Sequence, residues 1–143
     1  MPEGMYTVPL GKGAYRRKGT DLTVVGTSHT SDLAIKAMDS LVPAAITADV
    51  IDLRTLKPLD EEIIFQSVEK TGKLLVVDTG WQMGGVCAEI GCLVAEKRFG
   101  ALKAPVARLG LPDVPTPAGY TLEQFYYPDV NRIAMAIKTL AEK

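Results

Sequence analysis

The chain is poor in the residues that most often build a self-contained catalytic or metal centre. It has one histidine, His29, and two cysteines, Cys87 and Cys92. A structural zinc site takes four Cys or His ligands, usually in closely spaced pairs, so this inventory excludes one. Two thiols of this kind suit buried structural positions in a reducing compartment. No apolar run approaches the ~20 residues of a membrane span. No basic segment followed by an apolar stretch opens the chain, so no signal peptide is expected either. An excess of one charge is lacking as well: 16 Lys and Arg stand against 17 Asp and Glu. Nucleic acid and anionic membrane both attract a basic surface, so neither is an expected partner. The expectation is a soluble, cytoplasmic protein.

What is present is the material of one ordinary domain. The 143 residues are 47% hydrophobic and 23% charged, enough to enclose a core of their own. From residue 21 onward, apolar runs alternate with helical patterns. Leu22 to Gly26 reads as a first strand, and Thr27 to Asp32 then offers several helix caps. Leu33, Ala34, Ala37, Met38 and Leu41 follow at helical spacing, and Pro43 ends the helix. Ala48 to Leu53 reads as the next strand. Asp60 is placed to cap a second helix, with Glu61 and Glu62 in its first turn and Gly72 at its end.

Lys73 to Asp78 contains the unbroken apolar run of a strand covered on both faces. A helix after Gly84 and Gly85 directs Val86, Ile90, Leu93 and Val94 inward. Pro105 to Leu109 reads as another strand, and Pro112 to Pro117 as irregular. The last helix carries Val130, Ile133, Ala134, Ile137, Leu140 and Ala141 on one stripe. Ala14 to Arg17, so close to the first strand, suggests an antiparallel hairpin and hence an edge strand. Met1 to Gly13 shows no core-forming pattern and reads as an interdomain linker ahead of a domain spanning 14–143. The fold class expected is a three-layer α/β/α domain with a mostly parallel sheet of about five strands and one antiparallel edge strand.

In such a sheet, ligands sit beyond the carboxyl ends of the strands, where His29, Arg54, Asp78, Trp81 and Asp113 fall. His29 has the side chain of a general base, but no serine or cysteine nucleophile is paired with it by motif. Gly80 to Gly85 lies between a strand and a helix and offers backbone amides to an anion. It lacks both the dinucleotide and the phosphate-loop pattern. Trp81 suits either an interface anchor or a lid on the local core. No catalytic, cofactor-binding or metal-binding residue is assigned.

Five blocks in order then resemble a known family. They are Tyr6 to Lys12, Ala48 to Asp60, Thr71 to Asp78, Gly84 to Ile90, and Pro112 to Pro117 with Tyr127 and Pro128. Together they are similar to the C-terminal domain of the β subunit of thiamine-diphosphate-dependent 2-oxo acid dehydrogenases, a domain shared with transketolase. Pyruvate, branched-chain and acetoin dehydrogenases are the relatives this resemblance points to. Cys87 departs from the family's usual Gly, and Gln82 and Met83 from its frequent Pro-Thr. Gly26 to Asp32 stands where the family commonly has a Tyr-Gly turn.

The resemblance implies a piece of a longer β subunit, without the domain that holds the cofactor. Thiamine diphosphate and magnesium would belong to the parent enzyme and not to this domain, which lacks the Gly-Asp-Gly signature of diphosphate binding. The implied partners are the α subunit, a second β subunit and, in some complexes, the subunit-binding domain of the acyltransferase. The parent's reaction would be decarboxylation of a 2-oxo acid with acyl transfer to lipoyl groups. Trp81, Gly84, Gly85, Pro115, Pro117, Tyr120 and Phe125 become candidate subunit-contact residues. The competing expectation is a free-standing small-molecule-binding module that uses the crevice at the strand ends.

Overall fold

The computed structural model describes residues 5–143, so Met1 to Gly4 of the expected linker lie outside it. Strand and helix alternate as β1 (Ala14–Arg17), β2 (Leu22–Gly26), α1 (His29–Ser40), β3 (Ala48–Asp52), α2 (Glu61–Thr71) and β4 (Leu74–Trp81). There follow α3 (Val86–Arg98), β5 (Ala107–Leu111), α4 (Tyr120–Tyr126) and α5 (Val130–Ala141). The strands form one sheet in the order β1-β3-β2-β4-β5. Strands β2 to β5 are parallel, and β1 joins the edge antiparallel to β3.

The period-2 alternation of the central strands divides the core in two. Leu22, Val24, Val50, Leu75 and Val77 face α1 and α5, where they meet Ala34, Ala37, Met38, Ile133, Ile137 and Leu140. Val25, Ile51, Leu74 and Val76 face the other way, against Ile64, Phe65, Val68, Cys87, Ile90 and Val94 of α2 and α3. The expected three-layer architecture is therefore the one observed.

Four local expectations are corrected. β1 is an edge strand, but it does not form a hairpin with β2. Both edges of β2 are taken by parallel partners, so β1 crosses to the free edge of β3. The link is held there because Gly19 N donates to Asp49 Oδ1 at 2.9 Å. The Asp60 side chain does not cap α2; its Oδ2 accepts from Gly13 N at 3.0 Å and ties down the segment ahead of β1. The fourth parallel strand begins at Ala107, two residues later than the expected Pro105. In α3 the fully buried positions are Cys87, Ile90 and Val94, with Val86 and Leu93 packed only at the margin.

The amino ends of the strands are closed by polar groups bonded to one another. Asp49, fully buried, accepts from Ser67 Oγ at 2.7 Å and pairs with Lys70 Nζ at 2.6 Å. Thr23 Oγ1 lies 2.7 Å from Ser67 Oγ and 2.8 Å from Thr71 Oγ1. Burial alone would raise the Asp49 carboxyl. The Lys70 ammonium, Gly19 N–H and Ser67 hydroxyl outweigh that and hold it below the ordinary carboxylate value. On the same edge Lys73 Nζ donates to Ala141 O at 2.6 Å, satisfying a carbonyl of the last turn of α5.

Candidate functional site: the carboxyl edge of the sheet

The carboxyl ends of β2, β3, β4 and β5 feed four loops along one edge, and the segment before β1 joins them. Ala14 pairs with Asp52, the last residue of β3, so residues 5–13 arrive at this same edge. They are held by Gly11 N donating to Thr55 Oγ1 at 3.0 Å and by the Gly13–Asp60 bond.

The first loop turns sharply into α1. Ser28 adopts φ 48°, a left-handed conformation uncommon for a residue with a side chain. Thr30 makes the turn possible: its Oγ1 accepts from Thr27 N at 2.9 Å and lies 2.8 Å from Thr27 O and 2.9 Å from Val77 O. Of the cap residues expected here, Thr30 and Ser31 bond back to the loop, and the Ser28 side chain makes no cap bond. His29 is left exposed at the helix start. Among the described residues no side chain orients its imidazole by a hydrogen bond, so the geometry of a general base is not assembled. It lines a pocket of about 510 Å³ with Tyr120, Glu123 and Tyr127.

Asp78, at the end of the buried part of β4, accepts a short hydrogen bond from Thr27 Oγ1 and another from Gly80 N at 3.0 Å. It belongs to the strand–loop junction. Behind it, burial first and the Asp78 charge second push the Cys87 thiol up to about 11, so it stays protonated and unreactive at neutral pH. Asp52 serves Arg54 N and Arg16, and Asp60 serves Gly13 N. Among the described residues no group of three or more His, Cys, Asp or Glu is placed to hold a metal ion. The carboxylates of Asp52, Asp60 and Asp78 are thus spent on the protein's own loops.

The predicted contact residues fall on this edge but differ in what they do. Trp81 is the last residue of β4, paired with Leu111 rather than placed in a loop, and 57% exposed. Gly84 is exposed, with φ +69° and open space where a side chain would go. Gly85 is half-buried, and a Cβ there would run into the Trp81 carbonyl oxygen. It is a close-approach glycine and offers little surface. Pro115 is exposed and Pro117 half-buried in the irregular segment. Tyr120 and Phe125, each 77% exposed, stand on α4, a short helix the sequence pattern does not announce. The Tyr126 hydroxyl anchors that helix by donating to Val114 O at 2.9 Å. Sequence reasoning missed Met83 and Leu122, which are also exposed along this stretch, as is Val114 within the Pro112 to Pro117 segment expected to make contacts. The crevice expected for a small ligand exists in part: a pocket of about 350 Å³ lies between Gln82, Met83, Arg108, Leu111 and Asp113.

These features define an α/β domain whose strand ends carry exposed apolar surface. The fold matches a solved structure described as a split gene transketolase, inactive beta4 tetramer. Its TM-score is 0.82 at 24% identity, over 96% of this chain and 43% of that one. Residues 11–133 match the family described as transketolase, C-terminal domain, and the chain belongs to it. It is 37% identical, over 99% of its length, to the β subunit of acetoin:2,6-dichlorophenolindophenol oxidoreductase of Bacillus subtilis. It is 40% identical, over 95%, to a mitochondrial pyruvate dehydrogenase E1 component subunit beta-1 of Arabidopsis thaliana. A third relative is the 2-oxoisovalerate dehydrogenase subunit beta of Bacillus subtilis, 34% identical over 99%. The chain spans about two-fifths of these relatives: 42%, 38% and 44% of their lengths.

Proposed function

We propose that this chain is the C-terminal assembly domain of the β subunit of a 2-oxo acid dehydrogenase, and that it works by presenting its carboxyl edge to other parts of the enzyme. The observation that carries this reading is where the exposed apolar side chains lie. Val8, Leu10, Leu56, Trp81, Met83, Val114, Tyr120 and Phe125 all belong to the segments that meet at that edge. Exposed aromatic and apolar groups gathered on one surface mark a contact site, and their burial would drive association. Relatives named as β subunits support partner subunits for this chain, which in this reading are an α subunit and a second β subunit. Docking of an acyltransferase subunit-binding domain is a further role for the assembled enzyme.

In this reading the domain holds no cofactor. Thiamine diphosphate and magnesium bind elsewhere in the parent enzyme, which decarboxylates a 2-oxo acid in the cytoplasm and passes the acyl unit to lipoyl groups. The test is isothermal titration of this chain with thiamine diphosphate and magnesium, run beside the parent β subunit mixed with α. The expected result is heat only from the mixture, and loss of α association when Trp81, Tyr120 and Phe125 are changed together to Ser. Micromolar cofactor binding by this chain alone would overturn the reading. The pocket around His29 and Tyr120 would then be the place to look.

A further inference from the structure

A further cavity runs along α3, next to the crevice at the carboxyl edge. It is a groove of about 640 Å³ beside the outermost strand, on the side of the sheet covered by α2 and α3. α3 packs on β4 and β5, and among the described residues no further helix lies beyond it. Its wall toward the groove consists of Ala88, Gly91, Cys92 and Ala95, at the i, i+3, i+4 and i+7 positions of one helix face. Val106 of the edge strand and Leu102 of the preceding loop line the groove as well, and Phe99, 74% exposed, stands on its rim. The charged lining is of one sign, Lys103 and Arg108. The Arg108 stem comes close to Gly91, and one guanidinium nitrogen donates to Gln82 O at 3.0 Å. Glu96, reached by the Cys92 thiol at 3.6 Å, is not part of the lining.

We infer that this groove receives an amphipathic helix of a partner protein whose apolar stripe is flanked by acidic residues. The shape favours a helix. A face without side chains beyond Cβ or Sγ lets a second helix approach α3 at the short end of the ~8–10 Å interaxial range. The charge sets the flanks, since Lys103 and Arg108 attract carboxylates. It also argues against a second copy of this chain, whose symmetric contact would bring the same two cations to the same seam. The groove shares Ala88 and Arg108 with the crevice at the carboxyl edge, so Lys103, which lines the groove alone, is the position that separates this assignment from the carboxyl-edge one.

The probe is a synthetic helix with a Leu and Ala stripe flanked by Glu, compared with a twin carrying Lys in place of Glu. Cys92 in the groove reports occupancy through its rate of alkylation by iodoacetamide, read by intact mass. Cys87, fully buried, is the internal control. The Glu peptide should slow alkylation about tenfold at ten times its Kd, because only the unoccupied fraction reacts. The Lys twin should leave the rate unchanged. The double variant Lys103→Glu, Arg108→Glu should reverse that preference, and Lys103→Glu alone, at an exposed position, should weaken it if the double variant fails to fold. Equal protection by both peptides, or by neither, overturns the assignment. So does protection that rises with protein concentration alone, which would make a second copy the occupant.

Discussion

The two ends of the parallel strands have opposite characters. At the amino ends a buried carboxylate is met by an ammonium, a hydroxyl and a backbone amide, and two threonines extend the same cluster. Polar groups there satisfy one another, so that end makes little demand on anything outside the domain. At the carboxyl ends the hydrogen bonds fasten loops to strands while Trp81, Met83, Tyr120 and Phe125 remain in solvent. One end is satisfied within the domain, and the other leaves apolar side chains in solvent.

That contrast can be broken by substitution. The largest effect is expected at Asp49. Asp49→Ala removes the shared acceptor of the Lys70 ammonium, the Gly19 amide and the Ser67 hydroxyl and should cost about 3 kcal/mol in urea unfolding. A loss below about 1 kcal/mol, within the usual range for surface positions, would mean that the amino edge is held by packing alone. Next comes Gly85→Val, whose side chain must displace the Trp81 carbonyl; overpacking of this kind costs about 1–3 kcal/mol. If it were neutral, the β4–α3 turn would be softer than its geometry indicates.

Acid should expose the same asymmetry. Asp49 and Asp21 both have carboxyls held below their ordinary values. Asp49 owes this to the groups that outweigh its burial, and Asp21 chiefly to the Thr47 hydroxyl and amide. A carboxyl depressed in the folded state adds stability that is fully present above its unfolded value of ~3.9 and is lost as pH falls through the folded value. Unfolding midpoints should therefore change little between about pH 5 and 7 on account of these groups and drop below about pH 4. Asp49→Ala should show a shallower acid slope than the parent chain. The smallest effects belong to the carboxyl edge: Trp81→Ser, Tyr120→Ser and Phe125→Ser should each stay within about 0.5 kcal/mol. Larger losses from any of them would show that these side chains hold the domain together as well as facing outward.

The central strands are legible in the sequence because β-branched, unbroken apolar runs have few other uses at that length. Leu74 to Val77 is such a run, and the amphipathic stripe of α5 is as plain. Pairing is less legible. The short link after Arg17 suggests a hairpin, and only the whole sheet shows that β2 has no free edge to offer. α4 escapes notice because, among its residues, only Tyr126 is buried, and one inward side chain makes no period. The same limit applies to the contact surface. Periodicity reports which residues turn inward, so Trp81 and Tyr120 are suspected for their size while Met83 and Leu122 are not expected to make contacts.

The antiparallel attachment of β1 has a mechanical consequence. Residues 5–13 enter at the carboxyl edge, whereas the last turn of α5 is fastened by Lys73 at the amino edge. Tension between the two termini therefore runs along the strands. The β1–β3 hydrogen bonds lie across that direction, so the bonds of the ladder share the load and yield together in shear, not one at a time as in an unzipping hairpin. The whole β1–β3 ladder thus resists a pull on residues 5–13.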